Sequence, residues 1–486
     1  MRKNVIAVFM AIQAAGCAKR PVRELVPPSA AASLDPESAY LKIHLRDGGL
    51  YVLTDWHYRA AAHNITGVGT HYDADRTVTG NGRFTVALSQ VALLETNVLE
   101  TSNTYIPLTI FAIGSAALTT ACVTHPKACF GSCPTFYVEG STRPVAEGFS
   151  ASIAPSLEAT DIDTLWMAAP EGREVSVRMT NEAYETHVVK AVHLLAAKRP
   201  PNGHIAVDEH GRMWEAFSLS PPTACVAGAA SCTPKVATLD GTEQWRHTDP
   251  DDLAATETIE LSFARIPQKD AGLIVAMRQT FVTTYLFYQV LAYLGTEATS
   301  YLAALDSDTS GDLRRRLDGF REALGGVEVW ALADGKWQRA GDIHETGPIA
   351  TDIHLIRLPA HTERVRLTMS QGYFRIDYVA TARLGKKVEP IRLAGGTDRT
   401  ITALPGDETR FSFALPGDAG DYDLFLETRG YYLEWMRQSW IKEENPLLSA
   451  LVLAFPKRAL KLLAPAFKNL EGDIERMFWE SRYVAH

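Results

Sequence analysis

The sequence predicts a mixed, mainly β fold with a helical middle and a helical C-terminus. Three observations support this prediction. Apolar and polar residues alternate with a period of two over residues 40–95 and again over 327–427, which is typical of half-buried strands. Turn residues such as Asp-Gly separate these runs. Residues 273–305 and the tail from Glu443 carry longer apolar stretches, which favour helices.

The composition is that of a folded protein with several domains. Hydrophobic residues make up 46% of the chain and charged residues 22%, and 486 residues allow two to four domains. The expected order is a signal peptide (1–16), a lipid anchor with a flexible tether (17–38), a small β-barrel-like domain (39–98), an apolar helix or hairpin (99–128), a β-rich domain with cysteine pairs (129–268), a helical segment (269–325), a β-sandwich (326–428) and C-terminal helices (429–486).

Residues 1–17 have the pattern of a secretory signal. Arg2 and Lys3 precede an apolar run that is too short to span a bilayer, and small residues follow it. The segment Ala14-Ala15-Gly16-Cys17 resembles a bacterial lipobox, in which the Cys is lipidated and becomes the first residue. That resemblance implies a lipid anchor at Cys17 and, with Ala18 next, an outer-membrane location. An ordinary cleaved signal peptide and a buried N-terminal helix are the alternatives.

The N-terminal strands favour a small barrel or a strongly bent sheet. Asp47-Gly-Gly49 lies between two apolar alternations, which predicts a hairpin. Residues 18–38 hold four prolines and few core candidates, so they are expected to be a tether.

Residues 106–123 carry no charge over eighteen positions. Because Pro107 and a central Gly114 argue against a span, a buried helix or hairpin is favoured over membrane insertion.

The later segments alternate between strands and helices. Asp208-Glu-His-Gly211 predicts a second hairpin turn and Asp334-Gly335 a third. The run 273–305 is expected to be a helix packed on protein, because Arg278 is costly inside a bilayer. The strands over 327–427 fit a β-sandwich.

Two cysteine pairs are close in sequence, Cys129 with Cys133 and Cys225 with Cys232. In an oxidising envelope, short Gly- and Ala-containing loops between cysteines readily close as disulfides, so both pairs are predicted to be bonded. Cys122 is then a buried thiol. A four-cysteine metal site is the alternative, but the spacing lacks two Cys-x-x-Cys pairs.

The sequence predicts no catalytic residue, metal ligand or cofactor site. His125 near Cys129 would suggest a thiol nucleophile, but a disulfide explains the cysteine better. The loop 306–312 resembles the start of a calcium loop, yet Leu317 stands where a Glu is needed. A cluster of His344, Glu345, Asp352 and His354 matches no metal-ligand spacing.

Aromatic residues give the remaining binding hypothesis. If exposed, they would offer a stacking platform for sugars or peptides, although burial in a core is the commoner role. The residues concerned are Tyr431, Tyr432, Trp435 and Trp440. The amphipathic run 450–468 contains four basic residues and fits either a helix docked on protein or a helix on a membrane.

The segments Cys129-Phe-Gly-Ser-Cys-Pro-Thr-Phe-Tyr-Val138 and Tyr422-Asp-Leu-Phe-Leu-Glu-Thr-Arg-Gly-Tyr-Tyr-Leu-Glu-Trp435 resemble a group of uncharacterised bacterial lipoproteins. This resemblance implies an envelope location but carries no activity. A net charge of −9 argues against nucleic acid as a partner. We therefore expect a non-enzymatic binding or scaffolding lipoprotein, whose partners are the membrane, through its lipid, and an unknown envelope protein or glycan. An envelope hydrolase with a site built from dispersed residues is the alternative.

Overall fold

The computed structural model describes residues 19–26, 28–36, 38, 41–73, 78–101, 133–141, 143–168, 170–183, 185–295, 298, 301–302, 311–344, 346–404, 406–434 and 443–480. These residues contain 26 strands and five α-helices, so the predicted mainly β class is confirmed. The predicted signal peptide, Cys17 and the apolar stretch 106–123 lie outside the described residues. Within the described ranges, no helix is both long and apolar enough to cross a membrane.

The chain divides into two compact units. The first contains one antiparallel sheet with the strand order β1-β6-β2-β3-β4-β5. Its core includes Leu41, Ile43, Trp56 and Leu94. The predicted hairpin turn is present, with Gly48 at a positive φ of 88°. The strands are β1 (Lys19–Val26), β2 (Leu41–Leu45), β3 (Leu50–Arg59), β4 (Asn64–Tyr72), β5 (Val78–Ala87) and β6 (Val91–Thr101).

Part of the predicted tether is folded in the structure. Residues 19–26 form β1, which pairs with β6 along its whole length, and a 3-10 helix follows at Pro28–Ser33. Pro21 is compatible with this strand because β1 is an edge strand. One side of an edge strand has no neighbouring strand in the sheet, so a residue without an N–H donor is tolerated there. The prediction of a flexible tether over 17–38 is therefore wrong for these residues.

The second unit begins with a β-sandwich. One sheet has the order β25-β10-β7-β8 and the other β23-β11-β26-β9, with β24 also paired to β11. Side chains of both sheets share one core, including Phe136, Val177, Leu194 and Phe413. The strands are β7 (Thr135–Val138), β8 (Ala146–Glu147), β9 (Ala159–Thr164), β10 (Glu174–Thr180), β11 (Glu185–Lys198), β23 (Ile391–Arg392), β24 (Ile401–Ala403), β25 (Glu408–Ala414) and β26 (Tyr422–Glu434).

Two further sheets are inserted between β11 and β23. Their orders are β12-β13-β22-β17-β20 and β15-β14-β16-β21-β18-β19. The predicted hairpin turns at 208–211 and 334–335 are both present. The strands are β12 (Gly203–Val207), β13 (Met213–Ser220), β14 (Ala224–Ala227), β15 (Ala230–Ser231), β16 (Thr256–Ser262), β17 (Ala271–Gln279), β18 (Val327–Ala333), β19 (Lys336–Ile343), β20 (Asp352–Arg357), β21 (Thr362–Ser370) and β22 (Phe374–Val388).

Strand β11 joins the sandwich to the inserted sheets. Because successive side chains of a strand point to opposite faces, Leu194 and Ala196 enter the sandwich core while Leu195 and Ala197 pack with Ile205 of β12. Asp423 of β26 reinforces the junction. Its buried carboxylate accepts hydrogen bonds from Arg199 Nε (2.9 Å), His204 Nδ1 (3.1 Å) and the Ile205 amide (2.6 Å).

The helices of the second unit pack beside the inserted sheets. Phe281 and Tyr285, at the start of the second helix, contact Phe478 and Phe467 of the last helix, with ring centres 4.3 and 5.2 Å apart. The amphipathic run 450–468 therefore contributes a docked face to the protein core. The helices are α1 (Thr233–Val236), α2 (Val282–Leu294), α3 (Asp312–Leu324), α4 (Pro446–Ala454) and α5 (Pro456–Glu480).

Three predicted segment boundaries differ from the structure. Strands form over 326–428, but they pair with strands of 135–279 and so do not make a separate sandwich. Residues 271–279 of the predicted helical segment form β17, since a continuous apolar run suits a strand buried on both faces as well as a helix. Residues 429–434 continue β26. Helical structure near the C-terminus is confirmed from Pro446.

Candidate functional site

The second unit contains a cavity of about 600 Å³. Most of its described wall comes from the segment 133–153 of the sandwich, the start of α2, the end of α3 and the loop after β19, and β17, β18, β19 and β26 contribute one residue each. Most of the described lining is apolar or uncharged. The lining residues are Cys133, Glu147, Ser150, Ala151, Ile153, Gln279, Thr283, Thr284, Phe287, Tyr288, Leu317, Arg321, Glu322, Leu324, Gly325, Gly326, Glu328, Arg339, His344, Thr346, Gly347, Pro348 and Tyr432.

Glu147 is the buried acid of this wall. It lies at the end of β8, and its Oε1 accepts hydrogen bonds from the backbone amides of Ile349 (2.9 Å) and Ala350 (3.4 Å). Its Oε2 is buried and has no hydrogen-bond partner. Burial raises the pKa of Glu147 to about 8, although the two backbone amides oppose that rise. The side chain is therefore mostly a neutral carboxylic acid at pH 7, and a hydroxyl on Oε2 would be a donor without an acceptor.

Cys133 and Tyr432 lie in the same wall. Cys133 is a buried free thiol, so the predicted disulfide with Cys129 is not formed in the structure; Cys129 itself lies outside the described residues. The side chain packs into the sandwich core with Phe136, away from the surface. Burial, together with Glu147 and Glu185, raises the pKa of the thiol well above its ordinary value. The thiol is therefore protonated at neutral pH and a poor nucleophile.

The tyrosines of the cavity already have hydrogen-bond partners. Tyr432 donates its hydroxyl to the Ser150 carbonyl at 3.0 Å, and burial raises its pKa well above the usual value. Tyr288 donates to Glu434 Oε1 at 2.6 Å. On α2, Thr283 donates to Gln279 Oε1 at 2.6 Å. Among these groups, Glu147 Oε2 remains the buried polar atom that a ligand in the cavity would satisfy.

Charged side chains lie at the more exposed part of the wall. Arg321 donates to the Ala151 carbonyl at 2.9 Å, and Arg339 binds Asp342 and Glu328. His344 is exposed. Positive and negative groups both occur here, so this part of the wall favours neither a strongly anionic nor a strongly cationic ligand.

A second buried acid lies behind Glu147. The Glu147 backbone amide donates to Asp163, and burial followed by the charges of Asp161 and Asp352 raises the Asp163 pKa well above its ordinary value. Asp161 accepts a hydrogen bond from the Phe149 amide at 3.0 Å. Although acids converge here, no group of three or more His, Cys, Asp or Glu within the described ranges is arranged to hold a metal ion.

The predicted aromatic platform is not a surface in the structure. Tyr431 is fully buried and Tyr432 nearly so, because both lie in the central strand β26. Tyr431 and Tyr432 therefore have the commoner role expected of them, burial in a core, and do not form an exposed stacking platform; Tyr432 also lines the cavity. Trp435 and Trp440 lie outside the described residues, as does most of the loop 306–312. The predicted Cys225–Cys232 disulfide is present, with the two Cα atoms 5.0 Å apart.

Glu147 is a site residue that the sequence does not predict. A weak indication was present, since Glu147 stands between Val145-Ala146 and Gly148-Phe149, and apolar neighbours on both sides favour burial of the segment although Glu itself is seldom buried. Of the His and carboxylate residues that matched no metal-ligand spacing, Asp352 Oδ2 and His354 Nε2 lie 3.3 Å apart, His344 lines the cavity, and Glu345 lies outside the described residues.

The fold and the cavity together define a mainly β protein with an acid-containing internal site. No family model matches the sequence. A search of curated proteins also finds no matching relative.

Proposed function

We propose that this protein is a lipid-anchored binding protein of the bacterial cell envelope, and that its ligand occupies the Glu147 cavity. The observation that carries the proposal is the unpaired, buried Oε2 of Glu147 in the wall of a cavity of about 600 Å³. Small-molecule sites have this size and this character, with mostly apolar walls and few polar groups that fix orientation. The lipid anchor follows from the lipobox resemblance at Cys17.

The chemistry of the wall restricts the ligand. A protonated Glu147 donates a hydrogen bond, so the ligand would present an acceptor such as a carbonyl, ether or hydroxyl oxygen. Phe287, Ile153 and Leu317 offer apolar surface for the rest of the molecule. We infer a compact, uncharged and largely apolar ligand with one buried acceptor.

Binding is favoured over catalysis because the other reactive groups of the wall are engaged or unreactive. Tyr432 and Tyr288 are hydrogen-bonded, and the thiol of Cys133 is held protonated. The second candidate is an envelope hydrolase. One observation favours it: a pKa of about 8 suits Glu147 to act as a general acid at neutral pH.

A fluorescent probe tests the proposal. Prodan has an apolar ring system and one ketone acceptor, and its emission shifts to the blue on transfer from water to an apolar site. We expect saturable binding to the wild type. Glu147→Leu, which cannot donate, should weaken it about tenfold, while Glu147→Gln, which keeps an N–H donor, should retain more of the affinity.

The same experiment locates the probe and separates the two candidates. Thr284→Trp, which places a large side chain in the cavity wall, should abolish prodan binding by filling the cavity. Equal binding to wild type, Glu147→Leu and Thr284→Trp, or no binding at all, would overturn the proposal. Hydrolysis of 4-nitrophenyl butyrate that Glu147→Gln abolishes without loss of prodan binding would favour the hydrolase.

A further inference from the structure

The elbow between the last two helices exposes large apolar side chains. We use "helical elbow" for residues 446–462, which comprise α4 and the first turns of α5. Seven large hydrophobic side chains are exposed in the described part of the chain, and three of them lie here: Leu447 (82% exposed), Phe455 (54%) and Leu462 (46%). Such concentration in a short stretch marks an interaction surface, whereas single exposed apolar residues elsewhere need no explanation.

The exposed residues of the elbow are not a loosened part of the core. In α5 the buried face is formed by Ala459, Leu460, Leu463, Ala464 and Phe467. Lys461 and Leu462 lie on the opposite, exposed face, as the 3.6-residue period of a helix requires. In α4, Leu447, Ala450 and Ala454 are likewise exposed at helical spacing. Both helices thus keep one face on the protein and turn apolar side chains outward.

Basic side chains surround these apolar groups. Lys457, Arg458 and Lys461 are exposed in the first two turns of α5, and the Arg458 guanidinium lies 5.4 Å from the centre of the Phe455 ring. Lys461 is 3.3 Å from Asp252, an exposed ion pair that water and salt weaken. The protein as a whole carries a net charge of −9, so this positive face is a local departure from the overall charge.

We propose that the helical elbow docks on a bilayer that contains anionic lipid. Leu447, Phe455 and Leu462 would enter the boundary between headgroups and acyl chains, while Lys457 and Arg458 would lie at the level of the phosphates. Apolar and basic residues on one helical surface suit this environment, and each Lys or Arg near an anionic surface strengthens binding about fivefold. The proposal is independent of the Glu147 cavity, and the proposed anchor would only keep the elbow within reach of the membrane.

Vesicle sedimentation tests the docking without the lipid anchor. The Cys17→Ser chain would be mixed with vesicles of 30% phosphatidylglycerol in phosphatidylcholine and with vesicles of phosphatidylcholine alone. We expect binding to the anionic vesicles only, and loss of that binding at high salt. Neutralising the charges with K457Q/R458Q should weaken it by about twenty-fold or more, and L447S/F455S/L462S should abolish it.

A matched triple variant controls for general stickiness. M167S/V226S/I391S removes three exposed apolar side chains from other surfaces and should bind as the parent does. Failure of the parent to bind anionic vesicles, or equal loss in both triple variants, would overturn the proposal. So would concentration-dependent dimers in analytical ultracentrifugation that only the elbow variant abolishes, since the elbow would then contact a second copy of the chain. Circular dichroism establishes that each variant is folded.

Discussion

Gly347 lies directly against the carboxyl group of Glu147. A β-carbon built at Gly347 would overlap the Glu147 carboxylate oxygens and carbon. The missing side chain allows the backbone after Gly347 to close around the acid, so that the amides of Ile349 and Ala350 both reach Oε1. The segment between β19 and β20 thereby contacts the sandwich through a buried, hydrogen-bonded carboxyl group.

We predict that Gly347→Ala destabilises the protein by about 1–3 kcal/mol, because the added methyl group must displace the buried carboxyl group. Urea denaturation measures the change. Gly472→Ala is the matched control: it lies inside α5 with open space around the new methyl group, and alanine there should leave stability unchanged or raise it by up to about 1 kcal/mol. Equal effects of the two substitutions would contradict the close approach.

The raised pKa of Glu147 predicts a pH dependence of stability. The folded protein holds a proton on Glu147 up to about pH 8, whereas the unfolded chain releases it near the ordinary value of 4.5. Between these values the folded state binds more protons, so the free energy of unfolding should fall as pH rises, by up to about 1.4 kcal/mol per pH unit.

Urea titrations at pH 5.5, 6.5 and 7.5 measure this slope. Glu147→Gln cannot titrate and should lose stability less steeply over the same range. Asp163 also has a raised pKa and remains in both proteins, so the difference between the two slopes, and not either slope alone, reports on Glu147. Parallel curves would mean that Glu147 is ionised in the folded protein.

The Cys225–Cys232 disulfide should stabilise the second unit although it closes a short loop. The bond joins residues seven positions apart: Cys225 lies in β14, and Cys232 directly follows β15. The loop-entropy relation gives about 2.5 kcal/mol for a loop of this length. We expect C225A/C232A to lower the free energy of unfolding by that order, and dithiothreitol to lower that of the wild type but not of the variant. An unchanged wild type under full reduction, verified by alkylation of both cysteines, would contradict this.

The proposed lipid anchor at Cys17 predicts a change of cell fraction. Wild-type protein should sediment with membranes and extract into detergent, and Cys17→Ser should appear in the soluble envelope fraction. Metabolic labelling with a palmitate analogue should mark the wild type only. If the variant were still fully membrane-bound at high salt, the anchor would have to lie elsewhere in the chain.

Local turn chemistry was readable from the sequence. Asp47-Gly-Gly49, Asp208 to Gly211 and Asp334-Gly335 each form the predicted hairpin turn, because the residues that select a tight turn are adjacent in the chain. The fold class followed from the same period-two patterns. These features depend on residues a few positions apart, for which one sequence suffices.

Strand partners and the cavity were not readable. Val177 pairs with Phe411, and nothing in either segment identifies the other. For the same reason the sequence predicts one separate sandwich over 326–428, whereas these strands pair with earlier ones. Glu147 lies in a strand of two residues, which is too short for a period, and its pKa depends on a backbone segment about two hundred positions later. Burial of an acid is a tertiary property that local patterns do not contain.

A buried ion network predicts that the last helix depends on Arg278. Arg278 of β17 donates to Glu243 through Nε (2.5 Å) and to Glu475 of α5 through Nη2 (2.8 Å), while Arg375 lies 3.4 and 3.5 Å from the same two acids. Arg278→Met would remove the nearer of two cations from two largely buried carboxylates and leave Arg375 at 3.4 and 3.5 Å. We expect a loss of about 3 kcal/mol in the free energy of unfolding.

The coupling between Arg278 and Glu243 distinguishes an ion network from simple packing. Once Glu243→Gln has removed one carboxylate charge, Arg278→Met should cost about 1–2 kcal/mol less than it does in the wild type. Arg410→Met, which breaks an exposed pair with Glu408 at 2.7 Å, should change stability by no more than about 0.5 kcal/mol. A complete double-mutant cycle in urea measures these values, and strictly additive losses would mean that Arg278 supports α5 through its aliphatic stem alone.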